Sequence, residues 1–288
     1  LGLNDELLEH DAGTIQSRGG LPRKIHAVEF EGTSERQALL EASAFAPLET
    51  AEGATLIGPG PILAGAGALV RPSAVIDAAA GPVVLGAGVV IHPLSVVTGP
   101  AYLGPGTVVN PGAKIRHGTS AGAFCKLGGE VEESLILDLS NKQHDGFLGH
   151  AIVGSWVNLG ADTNGSDLKN NYSSVRVDLG DGPVESGQSF VGPHVGDHAK
   201  TGIDTMLTTG GVLGVAANVF GGGFVPRFVP AFAWGGAEGL AAYRLDAALE
   251  TARAVYGRRD VAWTGAVEDT LRRHFTATAE QRERYGVR

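Results

Sequence analysis

Aliphatic residues recur six positions apart along the middle of the chain, at Leu85, Ile91, Val97, Leu103, Val109 and Ile115. Each opens a segment of the same length: LGAGVV, IHPLSV, VTGPAY, LGPGTV, VNPGAK and IRHGTS. The spacing also holds upstream at Leu63, Leu69 and Val75, and the two blocks are offset by a slip of four residues around AAAGP, expected to bulge from a corner. Past Ile115 the pattern loosens, then returns at Val195, Thr201, Leu207, Leu213 and Val219. A helix repeats every ~3.6 residues and a strand every ~2, so neither explains a period of six. Three short strands per coil do. The expectation is an all-β core, a left-handed parallel β-helix of hexapeptide repeats over residues 56–223, in which each inward aliphatic stacks on its equivalent about 18 residues later. Small inward Ala and Ser suit a narrow triangular prism.

The flanks break the pattern. Residues 1–55 carry no repeat, and SERQALLEASAF within them reads as a short helix. They are expected to be a remnant of, or linker from, an upstream domain, and a chain opening on Leu1 rather than Met points the same way. Over 224–288, FVPRFVPAFAWGG is expected to end the prism, because proline lacks the N–H a ladder needs. Ala241, Leu245, Ala248, Leu249, Ala252, Val255 and Tyr256 then predict an amphipathic helix from Gly239 onward, and Val267, Leu271 and Phe275 a second. Both are expected to cover the end of the β-helix or a subunit contact.

Composition gives the repeat its reason: 44 glycines in 288 residues supply corners where a left-handed backbone is cheapest. A net charge of −9 lacks the cationic excess of a phosphate-backbone binder, so no nucleic-acid partner is expected. A single cysteine, Cys125, excludes an intrachain disulfide framework, and no apolar run is long enough to span a bilayer. A cytoplasmic protein without a membrane partner is the reading.

Polar groups concentrate in SNKQHDGFLGHAIVGSWVNLGADTNGSDLKNNYSSVRV, residues 140–177. His144 and His150 lie six apart, on adjacent faces of one coil, and Thr163 to Val177 has no six-period and reads as a loop extruded from a corner. Such a loop reaches toward a neighbouring subunit. The pattern from His144 to Thr163, HDGFLGHAIVGSWVNLGADT, followed by Asn171-Tyr172, resembles the acetyltransferase domain of bifunctional N-acetylglucosamine-1-phosphate uridyltransferases, and is most similar to GlmU-like sugar nucleotidyltransferases. GDHAKTGIDTMLTTGGVLGVAANVFGGGF and FVPAFAWGG are similar to the same subgroup.

The resemblance implies a homotrimeric hexapeptide acyltransferase that moves an acetyl group from acetyl-CoA to an amino-sugar phosphate such as glucosamine 1-phosphate, in nucleotide-sugar biosynthesis. It places His144 where the family has its general base and Asn158 where an asparagine contacts sugar and acetyl group. Asn171 and Tyr172 match a substrate-contacting pair. Asp145 is expected to orient the base or bind sugar hydroxyls, or simply to turn the corner. Thr201, Thr205 and Gly214 are candidates for the pantetheine track, with a corner or core role preferred for both threonines. A neutral imidazole suits removal of a proton from an attacking amine near neutral pH.

The chain departs from the family in three places. Phe147 stands where the family has a tyrosine, and Glu132 and Glu133 where it has a pair of lysines, so Lys126, Lys142, Lys169 and Arg176 become the candidate phosphate ligands, Lys142 foremost. Residues 1–50 show no glycine-rich nucleotide loop.

Two other classes fit parts of the pattern. One is a γ-class carbonic-anhydrase-like metalloenzyme using His117, His144, His150, His194 or His198. The other is a non-catalytic trimerisation module of a sugar nucleotidyltransferase. The preferred reading needs no metal.

Overall fold

The computed structural model describes residues 44–287. They form a left-handed parallel β-solenoid of about ten coils, with three helices at its C-terminal end. Strands of two to four residues line three faces. Face 1 is a ten-stranded sheet running from Phe45–Pro47 and Ile62–Gly65 to Phe228–Val229, and face 2 an eight-stranded sheet from Thr55–Ile57 to Met206–Leu207. Face 3 has a five-stranded block ending at Asn141–Lys142 and a four-stranded block beginning at Lys200–Thr201, joined by single bridges through Asn158.

Leu85, Ile91, Val97, Leu103, Val109 and Ile115 are all 0% exposed, inside the prism. Buried Ser and Thr flank the rows near the corners, where Ser95 Oγ, for example, donates to the carbonyl of Asn110 at 2.8 Å. In the upstream block the inward residues are Val70 and Ile76, one position beyond Leu69 and Val75; Leu69 is 40% exposed. The slip around AAAGP is therefore three residues rather than four, and Ile62 pairs with Val83 across a 21-residue coil. A pleated strand sends adjacent side chains to opposite faces, so two neighbouring aliphatics offer two phases and only stacking selects one.

Coil length also varies where the repeat loosens. Val83, Ala101 and Thr119 stack 18 apart, but Lys126 pairs with Asn141 after 15 residues, Leu148 with Gly165 after 17, and Ile152 with His194 after 42. The long coil holds the extruded loop. It begins later than expected, since Thr163 is buried and Asn164–Gly165 is a strand, and it continues past Val177 through an antiparallel hairpin, Arg176–Asp178 with Pro183–Glu185. The hairpin is tied to its own chain, with Tyr285 Oη donating to Asp178 Oδ2 at 2.7 Å and Arg284 Nη1 to the Gly180 carbonyl at 2.8 Å.

FVPRFVPAFAWGG does not end the prism. Phe228–Val229 pairs in parallel with Val212–Leu213, and Ala233–Gly236 with Asn218–Val219, making another coil. Pro226 and Pro230 lie outside these short strands, so their missing N–H groups cost no ladder bond. The coil is closed by Gly239–Ala242, which pairs antiparallel with Ala233–Gly236; this strand takes Ala241 out of the expected helix. Helix α1, Leu245–Arg258, follows, then α2, Gly265–Ala277, and α3, Ala279–Arg284. The helix expected over SERQALLEASAF lies almost wholly outside the described residues, and its Phe45 begins a strand.

The helices have a definite seat. At the corner between faces 1 and 3, Phe124, Leu139, Trp156, His198, Ala216 and Phe232 all have positive φ, one per coil. Their side chains point away from the prism and pack with Ala248, Leu249, Ala252, Tyr256 and Leu271 of α1 and α2 in two apolar clusters beside the main core. Trp156 stacks on Tyr256 at 4.0 Å between ring centroids. Here a corner that ordinarily prefers glycine accepts large side chains, and burial under the helices compensates for the unfavourable backbone. Among the described residues no helix is long and apolar enough to cross a membrane.

Cys125 lies in the main core at 0% exposure, and burial pushes its thiol up to about 12. The native protein should therefore leave a thiol-labelling reagent unreacted at pH 8 and take up one equivalent after denaturation. Rapid labelling of the folded chain would show that this coil opens.

Candidate functional site

His144, Asp145 and Gly146 turn the corner between faces 3 and 2. The backbone there is set by Gly146, whose φ is +112° and whose position leaves no room for a side chain: a Cβ would lie 2.2 Å from the Thr163 carbonyl oxygen of the next coil. The His144 and Asp145 side chains are exposed, and the imidazole makes no hydrogen bond among the described residues. Phe147 N–H donates to Asn164 Oδ1 at 2.8 Å, which fixes the corner to the coil below. From there an open groove follows the same edge, lined by Asp162, Asn164, Ile203, Asp204, Met206 and Gly221 to Gly223. It offers carboxylates and apolar contacts, and no cation.

Lys142 lies inside the prism, 2% exposed, where it cannot meet a phosphate. On face 3 it takes the inward place held by Ile91, Val109 and Leu127 in preceding coils. Its Nζ donates to the carbonyls of His144 at 2.6 Å, Asp145 at 3.2 Å and Gly128 at 3.3 Å. Burial pulls the ammonium down to about 8, while Asp145 and Asp162 act in the opposite direction. The other cations considered for a phosphate have their own surroundings. Lys169 binds Ser173 Oγ and the Ser174 carbonyl within the loop, and Arg176 pairs with Glu185. Lys126 is exposed on face 3, its pKa lowered by burial and by the charges of Arg259 and Arg258.

Asn158 is not drawn to His144. It faces outward on face 3, where its Oδ1 accepts from Asn141 Nδ2 at 3.2 Å and Asn141 Oδ1 accepts from Arg259 Nη2 at 2.6 Å. Thr201 and Thr205 are core residues: Thr201 Oγ1 bonds Thr163 Oγ1 at 2.7 Å, and Thr205 Oγ1 donates to the Gly202 carbonyl at 2.9 Å. Gly214 makes room for the next coil, since a Cβ there would lie 2.3 Å from the Ala231 nitrogen. None of these three faces a ligand track; on those coils the groove is lined by Ile203, Asp204 and Met206. Asn171 turns the loop by accepting from Ser173, and Tyr172 beside it is 74% exposed with a positive φ.

Sequence reasoning left one arrangement unassigned. His150, at the corner between faces 2 and 1, has Nδ1 2.8 Å from Asp167 Oδ2, and its ring stacks on Phe190 at 5.0 Å. Its partners come from the two ends of the extruded loop, 17 and 40 residues away, and spacing gave no signal of the contact. On the same edge, Glu132 and Glu133 neighbour Arg116 and His117, with Arg116 Nη1 2.9 Å from Glu132 Oε2 and His117 Nε2 3.4 Å from Glu133 Oε1. His198, by contrast, is buried beside the stacked Trp156–Tyr256 pair, 5.9 and 6.0 Å from the two ring centroids, and burial lowers its pKa to about 3. Among the described residues of one chain, no three His, Cys, Asp or Glu side chains converge as metal ligands would.

No family model matches the chain. Among curated proteins it is similar to a bifunctional sugar-1-phosphate nucleotidylyltransferase/acetyltransferase of Sulfurisphaera tokodaii, 31% identical over 100 residues that make up 35% of this chain and 25% of the relative. It is also similar to the bifunctional protein GlmU of Nostoc sp., 30% identical over 43% of this chain and 24% of the relative, and to that of Trichodesmium erythraeum, 29% identical over 43% and 23%. The matched stretch thus spans about a quarter of each relative's length. This chain resembles bifunctional GlmU-type proteins, and it folds as the β-solenoid which that resemblance implies.

Proposed function

We propose that this protein is an acyltransferase that moves the acetyl group of acetyl-CoA to the amino group of a sugar or sugar phosphate, within nucleotide-sugar biosynthesis. The observation that carries the reading is the exposed His144 on the segment that resembles the acetyltransferase domain, at the same prism edge as an open groove that begins at Asp162 and Asn164 on the next coil. In this scheme the imidazole takes the proton of the attacking amine, and the amine carries the bond to the thioester carbon. The tetrahedral oxyanion meets a backbone N–H, and coenzyme A leaves as the thiol. Asp162 and Asp204 suit an approaching ammonium, and Ile203 and Met206 the apolar part of pantetheine. The working unit is a homotrimer with the groove between adjacent prisms, where Asn171 and Tyr172 reach the acceptor.

The His150–Asp167 pair supports a second assignment of the base within the same reaction. A carboxylate fixing Nδ1 orients the ring and leaves Nε2 to act. Purified protein is tested by incubation with acetyl-CoA and a panel of amino sugars and amino-sugar phosphates, followed by thiol release and acetyl-CoA binding. Turnover of at least one acceptor is expected. Neither turnover nor binding would leave a trimerisation module of a sugar nucleotidyltransferase as the better account.

A further inference from the structure

We infer that Lys142 is a positioning residue that holds the His144 corner from inside the prism; its effect on catalysis rests on the acetyltransferase reading. The stack through Ile91, Val109 and Leu127 is aliphatic, and an aliphatic side chain would fill the next place without bringing a charge out of water. A lysine sits there instead, with all three N–H bonds of its ammonium directed to main-chain carbonyls. Two of those carbonyls belong to His144 and Asp145, and the third to Gly128 on the preceding coil. One side chain therefore ties the first two residues of the turn to the coil before it, while Phe147 N–H and Asn164 tie the turn to the coil after it.

The group is costly as a mere filler. Its pKa in the fold lies below that of a free lysine, because burial penalises the charged form. Folding thus bears the penalty in full below about pH 8 and is relieved of it as pH rises toward the free value of 10.5. Without the amine, the inward carbonyls of His144 and Asp145 would face the apolar core unpaired, and the peptides would have to turn outward to reach water. Such a turn moves the imidazole that the corner carries. Of the charged groups at this edge, Asp145 and Asp162 act on the ammonium and favour its protonated form.

The test compares Lys142→Met, which keeps length and loses the donors, with Leu127→Met, one coil earlier in the same row. Lys142→Gln, which retains an amide donor, stands in if the methionine variant does not fold. Hydrogen exchange is read at the Glu130 amide, bonded to the Gly146 carbonyl at 3.1 Å, and at the Phe147 amide, bonded to Asn164. Exchange at both should accelerate about tenfold or more in the Lys142 variant and stay near wild type in Leu127→Met. Acetyl transfer should lose about tenfold or more in kcat, with KM for acetyl-CoA little changed. Equal exchange in the two variants would overturn the pinning role. Altered exchange with an unchanged kcat would overturn the catalytic one. A wild-type protein without acetyl transfer would remove the proposed function, while exchange would still decide whether Lys142 holds the corner.

Discussion

Replacing His144 by alanine should lower acetyl transfer by about 10²- to 10⁴-fold, the usual contribution of a positioned general base. It should leave the unfolding free energy within about 0.5 kcal/mol of wild type, because the side chain is exposed and bonded to nothing among the described residues. The separation of the two effects is what gives the experiment its force. His150→Ala provides the contrast: this ring is held by Asp167 and stacked on Phe190, so its loss should loosen the root of the extruded loop. Steady-state rates and urea unfolding on both variants distinguish the candidates. A large loss of kcat in His150→Ala with His144→Ala near wild type would move the base to the His150–Asp167 pair. Wild-type rates in both would remove histidine catalysis at either corner.

Leu103→Ala should cost about 2–5 kcal/mol, the range for deleting a fully buried aliphatic side chain whose surroundings cannot close on the cavity. Leu103 is 0% exposed, with Leu85 stacked on one side and Ala121 on the other. Coils in a solenoid contact only their neighbours, so the damage should centre on the coils around Leu103 and show as a local increase in hydrogen exchange. Leu69→Ala should change stability by less than about 0.5 kcal/mol, since this leucine is 40% exposed on the outer side of its strand. Urea denaturation of both variants checks the inward phase. A comparable loss at Leu69 would place it against something that the described residues do not include.

The repeat was legible because a narrow prism has no choice at its inward positions. Leu85 through Ile115 must be aliphatic at every sixth residue, and the corners must tolerate a left-handed backbone, so both requirements are written directly into composition and spacing. The extruded loop was legible in outline for the same reason: loss of period marks loss of coil. The amphipathic stretches of α1 and α2 were readable from their own spacing, since burial of one helix face is a local pattern. The spacing of His144 and His150 correctly kept them apart on one coil, but it put them on adjacent faces, whereas each lies at a corner between two strands.

Other features depended on contacts that local pattern does not encode. Whether Leu69 or Val70 points inward is decided by the residue stacked above it, because a strand offers both phases equally. Pro226 and Pro230 were misread because a proline disrupts a ladder only where its nitrogen must donate, and two-residue strands leave it a corner. Lys142 looked like a surface cation until coil-to-coil register put it in line with Ile91, Val109 and Leu127, with carbonyls in reach of all three donors. His150, Asp167 and Phe190 meet because the two ends of a long loop return to one corner. The sequence by itself determined the repeating prism and the polar stretch that carries His144; the tertiary structure alone decided which residues turn the corners, which side chains lie inside and which distant residues meet, since all three follow from the stacking of coils whose lengths vary from 15 to 42 residues.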